Sequence, residues 1–317
     1  MSDVKQKNSV KRPRKQDAEG NYIFNRRWEP LLYLIPFALG LLVFTVYPIV
    51  NVVLMSIREG YSLSGRYNGV GLANYTQVIN DTHFKTAIGN TFIYVFTVVP
   101  IATVLAIIIA NLLNQKIRGM AIFQTAYFLP MVTSSIAVGM SWRYLFKADS
   151  GGVINWLIGL FGAEPVNWLG AAQGKAPWNI FVIIIFGIWN MLPFTIILLL
   201  SGLQNIDPMY YTAARVDGAN SSKMFFRITV PLLAPTIFLT MIINMISAFK
   251  VYNEVIPFWS GKAGALGSNL YTMVYYIKET FYSNRKLGKA AAASLILFFI
   301  IFLFTMLQRY IQKRFRD

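Results

Sequence analysis

The sequence predicts an all-α membrane protein of six transmembrane helices, several carrying proline, with a short helix–turn–helix on the cytoplasmic side between the fourth and fifth spans. Three observations carry that prediction. The chain of 317 residues is 56% hydrophobic and only 13% charged, whereas a soluble domain carries roughly 45–50% apolar and about 25% charged residues. Six stretches hold no Asp, Glu, Lys, Arg or His and are long enough for a bilayer core about 30 Å thick, which needs about 20 helical residues. The net charge of +16 is unevenly placed along the chain. Of the 29 Lys and Arg, 17 fall in the shorter set of alternating connecting segments.

The six stretches are Pro30–Ile57, Thr86–Gln115, Gly119–Trp142, Ala176–Ile206, Ile228–Phe249 and Ala290–Gln308. Each is read as a helix because backbone groups in lipid must find partners within their own segment. The first is not read as a cleavable signal peptide: it is long, lacks a small-residue cleavage site and follows a polar tail. That tail, residues 1–29, holds Lys5, Lys7, Lys11, Arg12, Arg14, Lys15, Arg26 and Arg27. The Lys/Arg bias places it in the cytoplasm with the C-terminus, beside the anionic inner leaflet. Residues 30–317 then form the six-span domain. No folded basic domain stands behind the tail, so nucleic-acid binding is not expected.

What the spans lack narrows the chemistry. No acid and no histidine lies within them, and proton-coupled carriers need such groups inside the bundle. There is no cysteine, which removes thiol chemistry and zinc–thiolate sites. His83, the sole histidine, is read as a solvated residue of an external loop. The nearest approach to a phosphate-binding loop, Gly170-Ala171-Ala172-Gln173-Gly174-Lys175-Ala176, has the wrong spacing and no hydroxyl residue after the lysine. The chain is therefore not expected to hydrolyse ATP. Prolines 36, 48, 100, 130, 193, 231 and 235 lie in or at the ends of spans, and each removes a helix hydrogen bond. That is tolerated where neighbours or a wet cavity re-satisfy the backbone.

The connector between the fourth and fifth spans reads as two helices. Asp207 suits an N-cap, Pro208 the first helical position and Gly218 a left-handed C-terminal cap. Asn220 or Ser221 starts a second helix that enters the fifth span. Shape alone allows either a docking knob or an ordinary amphipathic connector.

Ala213-Ala214, Gly218, Ile228 and Pro231 stand at the spacings of the "EAA" loop of ABC importer permeases, which this connector resembles. The longer carbohydrate-permease pattern is matched by Ala213, Ala214, Asp217, Gly218, Ala219, Phe225, Phe226, Ile228, Pro231, Leu232 and Pro235. Thr212 stands where the family usually has Glu, and Val230 where it has Leu. Gly71-Leu72-Ala73-Asn74-Tyr75, Gly89-Asn90-Thr91, Arg118-Gly119, Phe128-Leu129-Pro130, Trp142-Arg143 and Leu287-Gly288-Lys289-Ala290-Ala291-Ala292 resemble further segments of the same family. Ser260-Gly261-Lys262-Ala263-Gly264 departs from the usual T-x-G-G-P. The chain is similar to the permeases of maltose, multiple-sugar and glycerol-phosphate uptake systems over residues 30 to 315.

That resemblance implies a type I importer fold in a bacterial plasma membrane. It further implies a second homologous permease as heterodimer partner, two cytoplasmic ATPase subunits that bind ATP and Mg, and an extracytoplasmic sugar-binding protein. No cofactor is expected on this chain. Thr212, Ala213, Ala214, Asp217, Gly218, Ala219, Phe225, Ile228 and Pro231 would form the ATPase-coupling loop. For the substrate pathway, aromatic faces beside amides suit sugars, which points to Trp189, Asn190, Phe194, Asn244, Lys250, Tyr252 and Asn253. Trp189, Phe194, Lys250 and Asn253 also align with sugar-contacting positions of maltose-type permeases. The alternatives are a stand-alone secondary transporter or channel for a small polar solute, and a membrane scaffold. Polyol and glycerol-phosphate cargoes also remain open at this stage.

Overall fold

The computed structural model describes residues 29–115, 119–147, 149, 151–169, 178–258 and 270–316. The basic tail, Arg118, the 170–176 segment and Ser260–Gly264 lie outside them. The chain divides into two compact units, Met1–Leu54 and Met55–Asp317.

The described part of the first unit is the first span: α1 (Glu29–Leu41), a π-helical segment Leu42–Val46, and α2 (Tyr47–Ile57), which runs on into the second unit. Proline crowds the carbonyl four residues before it. For Pro48 that residue is Phe44, inside the π segment. The same arrangement recurs in the second unit, where Phe225–Thr229 is π-helical and Pro231 faces Arg227 four residues back. The wider turn gives each proline room without ending the helix.

In the second unit a two-stranded antiparallel ribbon, β1 (Arg58–Glu59) and β2 (Gly69–Val70), leads into α3 (Ala73–Asn80). The long α4 (Thr82–Leu113) follows, with Asp81 as its N-cap accepting from the His83 amide at 2.9 Å. His83 thus sits, exposed, in the first turn of a helix instead of in a loop. The third apolar stretch is corrected by the structure. It is two helices, α5 (Met120–Val132) and α6 (Ser135–Leu145), bent by 101° at Thr133 and Ser134. Both linking residues are extended (ψ 151° and 118°), and the Thr133 hydroxyl donates to the Pro130 carbonyl at 2.9 Å. Thr133 thus gives the Pro130 carbonyl an alternative partner at the point where the helix ends. This pair forms one broken span or a re-entrant loop, beside five helices long and apolar enough to cross a membrane among the described residues.

Beyond it come α7 (Val153–Gly159), α8 (Trp178–Gln204), α9 (Pro208–Val216), α10 (Ser221–Met224), α11 (Val230–Phe249), α12 (Met273–Tyr282) and α13 (Leu287–Arg316). The α4 and α8 helices run parallel. Val95, Val98 and Val99 meet Val182, Ile183 and Phe186, and further along Ala106 and Ala110 meet Leu199 and Leu203. Lipid is as apolar as leucine, so close packing of small residues substitutes for the hydrophobic drive. Ala102, Ala106 and Ala110, one turn apart and fully buried, supply that small-residue stripe. The α11 helix runs the opposite way: its Leu233 joins the second cluster and its Phe249 the first. Phe92, Phe249 and Phe304 close the contact of α4, α11 and α13, with ring centroids 5.5–5.6 Å apart.

The family-like motifs meet at the end of the bundle remote from α9. Asn74 donates to the Ser56 and Arg58 carbonyls, each at 2.9 Å, and the Tyr75 hydroxyl pairs with that of Ser56. Asn90 donates to the Tyr271 carbonyl and Thr91 accepts the Met273 amide, tying α4 to α12. Lys289 pairs with Asp81 at 2.6 Å, and the Tyr276 hydroxyl donates to the same carboxylate oxygen at 2.9 Å. Burial alone would raise the Asp81 pKa. The bonds from Lys289, Tyr276 and the His83 amide outweigh it and hold the carboxyl below its ordinary value. The Tyr276 phenol is pushed upward by burial and by its bond to Asp81.

Candidate functional site

Two features bear on function: the α9 knob and a cavity between α4, α8 and α11.

At the knob, Asp207 Oδ1 accepts from the Met209 amide at 2.8 Å and Pro208 opens α9. The helix ends in a Schellman arrangement. The Gly218 amide donates to the Arg215 carbonyl at 3.1 Å and the Ala219 amide to the Ala214 carbonyl at 2.9 Å. Gly218 has φ +73°, the left-handed conformation that a Cβ strains. Asn220 then caps the next helix, accepting from the Lys223 amide at 2.8 Å. Inward, Tyr211 and Ala214 are half-buried, and the Tyr211 hydroxyl pairs with Thr229 at 3.1 Å. Outward, Met209, Thr212, Ala213 and Val216 lie at helical spacing and all are exposed, Val216 to 84%. This stripe is uncharged. The Thr212 hydroxyl turns back to the Pro208 carbonyl at 3.2 Å. Asp217, Gly218 and Pro231 are exposed, while Ala219, Phe225 and Ile228 are half-buried.

The cavity has a volume of about 250 Å³. From α8 it takes Gly187, Asn190, Met191 and Phe194, from α11 Asn244, Ser247 and Ala248, and from α4 Tyr94. The turn after α11 closes it with Val251 and Glu254. Asn190 Nδ2 donates to Glu254 Oε1 at 3.2 Å across this space. Asn244, 2% exposed, donates to the Thr195 hydroxyl at 2.9 Å, which itself donates to the Met191 carbonyl at 2.8 Å. Gly187 lets the Tyr94 ring approach: a Cβ there would lie 2.8 Å from Tyr94 Cζ. The lining therefore offers a carboxylate, two amides, a phenol and one serine hydroxyl beside an aromatic face, a set that dehydrated sugar hydroxyls can pair with.

Of the pathway residues expected from the sequence, Asn190, Phe194 and Asn244 are brought together here. Trp189 points to another face of α8. It packs on Trp142 and Phe186 (centroids 5.6 and 6.1 Å) and lines a smaller, mainly apolar groove with Tyr127 and Pro130. Lys250 and Asn253 are exposed and the Tyr252 ring lies tilted beside that of Tyr275, and none of the three lines the cavity. Glu254, Tyr94 and Ser247 were missed by sequence reasoning. Glu254 lies just past the end of an apolar run, where a search for charges within spans does not look. The nearest signal was its place in the same post-span turn as Lys250, Tyr252 and Asn253.

Comparison with known proteins accords with this architecture. Residues 88–317 match the family described as binding-protein-dependent transport system inner membrane component. The chain is 34% identical over 289 residues to the arabinooligosaccharides transport system permease protein AraP of Halalkalibacterium halodurans, covering 90% of this chain and 88% of that one. It is 32% identical over 283 residues to the lactose transport system permease protein LacF of Rhizobium radiobacter, covering 88% and 92%. In fold it is similar to a chain of a bacterial alginate ABC transporter in complex with an alginate pentasaccharide-bound periplasmic protein. There the TM-score is 0.78 and the identity 22%, over 91% of this chain and 98% of that chain.

Proposed function

The chain belongs to the binding-protein-dependent transport system inner membrane components, and from that membership we propose that it carries a sugar through the cavity bounded by Asn190, Asn244 and Glu254. It is a multi-pass membrane protein and a permease subunit of an ATP-binding-cassette importer, not an enzyme. The sugar class is supported by the arabinooligosaccharide and lactose permeases to which the chain is similar.

The observation that carries the mechanistic reading is the α9 knob. It is a doubly capped helix with an uncharged outward stripe, Met209–Thr212–Ala213–Val216, standing free of the core. A groove on a cytoplasmic ATPase subunit would receive that stripe, each of two ATPases taking one knob from each of two permease chains. ATP and Mg then bind the ATPases, and this chain needs no cofactor. The knob end is the cytoplasmic end, where the C-terminus of α13 also lies, and an extracytoplasmic binding protein delivers sugar at the other. A second, homologous permease completes the pathway as its heterodimer partner. Thr212, lacking a carboxylate, docks by shape instead of by an ion pair.

The test is reconstitution in proteoliposomes with the neighbouring permease, ATPase and binding-protein chains. Uptake of arabinotriose, lactose and maltotriose is measured with and without ATP. ATP-dependent accumulation of at least one, absent without the binding protein, is the expected result. Accumulation by this chain alone without ATP would overturn it in favour of a self-contained carrier.

A further inference from the structure

We propose that Glu254 makes the cavity a charge filter: it admits uncharged, hydroxyl-rich sugars and excludes sugar acids and sugar phosphates. The inference rests on reading the cavity as the sugar pathway, and it narrows the cargo that reading allows.

Glu254 lies outside every apolar run, yet the turn after α11 folds it back over the cavity between α8 and α11. Its side chain is half-buried and its Oε1 is held by Asn190 Nδ2 at 3.2 Å. No Lys, Arg or His lines the cavity among the described residues, so no cation there balances the carboxylate. The remaining polar lining is neutral: Asn190, Asn244, Ser247 and Tyr94. A carboxylate accepts hydrogen bonds only. Sugar hydroxyls can donate to it, and charge-assisted bonds of that kind are roughly twice as strong as neutral ones. A second carboxylate or a phosphate can only repel it. At an effective dielectric near 20, like charges about 6 Å apart shift an equilibrium by roughly 100-fold. After screening by salt and water, discrimination of at least about tenfold is expected. Asn190 sharpens the effect, because its amide holds the carboxylate in place and leaves the second oxygen for the cargo.

The experiment uses the reconstituted complex and matched probes: arabinotriose, lactose and maltotriose, each beside its aldonic acid oxidised at C1. Each uptake rate is divided by the separately measured fraction of binding protein loaded, which removes selection at that earlier step. The wild type should carry a neutral probe at least about tenfold faster than its acid. Glu254→Gln should slow the neutral probe, speed the acid and bring the two within about threefold. Glu254→Asp should retain the discrimination, which separates charge from shape. Equal wild-type rates for acid and neutral forms, or an unchanged ratio in Glu254→Gln, would overturn the filter while leaving the sugar permease intact. ATP-driven uptake of none of the six probes by any variant would overturn the sugar reading, and the filter with it.

Discussion

Asp81 and Lys289 lie 208 residues apart in the chain, yet their side chains meet at 2.6 Å and join the N-cap of α4 to the first turn of α13. Both are largely buried, with side-chain exposures of 17% and 14%. The pair is therefore less screened than a surface ion pair. Asp81 also caps α4 through the His83 amide, so one carboxylate serves two helices.

Lys289→Met should leave Asp81 with its cap and its Tyr276 bond but without its cation. We expect a loss of about 1–3 kcal/mol. It would be read as a fall of several degrees in the Tm of the detergent-solubilised complex, with the membrane insertion of the chain preserved.

The same carboxylate predicts a pH dependence. Its folded pKa is depressed, because the bonds it accepts outweigh the cost of burial. Such a group contributes stability above its unfolded value of about 3.9 and loses it as the pH falls through the lower folded value. Thermal unfolding followed from pH 6 down to pH 3 should show that acid-side loss. In Asp81→Asn the corresponding part of the slope should be absent. An identical slope in the two proteins would count against this assignment.

Gly187→Val should harm transport more than abundance. The added side chain would meet the Tyr94 ring, whose Cζ lies 2.8 Å from even a Cβ at that position. Overpacking of this kind costs typically about 1–3 kcal/mol, and here it also drives a phenol into or out of the cavity. A double-mutant cycle with Tyr94→Val, scored on both Tm and ATP-dependent uptake, should show coupling above about 0.5 kcal/mol.

Gly218→Val places a branched Cβ at φ +73°, at a strain of about 1–2 kcal/mol, and loosens the Schellman cap that sets the angle between α9 and α10. Abundance in the membrane should be near normal, while uptake falls and ATP hydrolysis no longer tracks it. Wild-type uptake at wild-type abundance would contradict a coupling role for the knob.

Asn155 is 2% exposed and makes five hydrogen bonds: to the carbonyls of Lys147, Asp149 and Val166, and from the Val166 amide and Trp168 Nε1. Asn155→Ala leaves several of those groups unpaired at about 1–3 kcal/mol each. Limited proteolysis should then cut between residues 147 and 168 in the variant and spare the wild type.

Much of this was legible in the sequence because lipid imposes a length rule that apolar runs satisfy or fail. The ends of α4, α8 and α11 fall within a turn or two of the apolar stretches. Asp207, Pro208, Gly218 and Asn220 act locally, so their capping roles could be read from position alone. The break at Thr133–Ser134 was not legible by apolar content, since the stretch from Gly119 to Trp142 passes through it without a charged residue. Glu254 was hidden for a different reason: its place in the cavity depends on a turn folding back between two helices, a relation without a local signal. Asn74, Asn90 and Lys289 stood out only through the family-like motifs around them. The structure gives those motifs a physical content as joints between elements distant in the chain.

From Ser221 to Phe249 α10, the π-helical turn and α11 follow one another without a loop in a run of 29 residues, about 43 Å at 1.5 Å per residue. Asn220 caps it at the knob, and Asn244 and Ser247 form part of the cavity wall near its other end. Mechanically it is a strut. A push on the knob along its axis would reach the cavity wall with no loop in between to absorb it. The π-helical turn at Phe225–Thr229 and the prolines at 231 and 235 are the places where its stiffness changes, so they would set how much of such a stroke arrives as translation and how much as tilt.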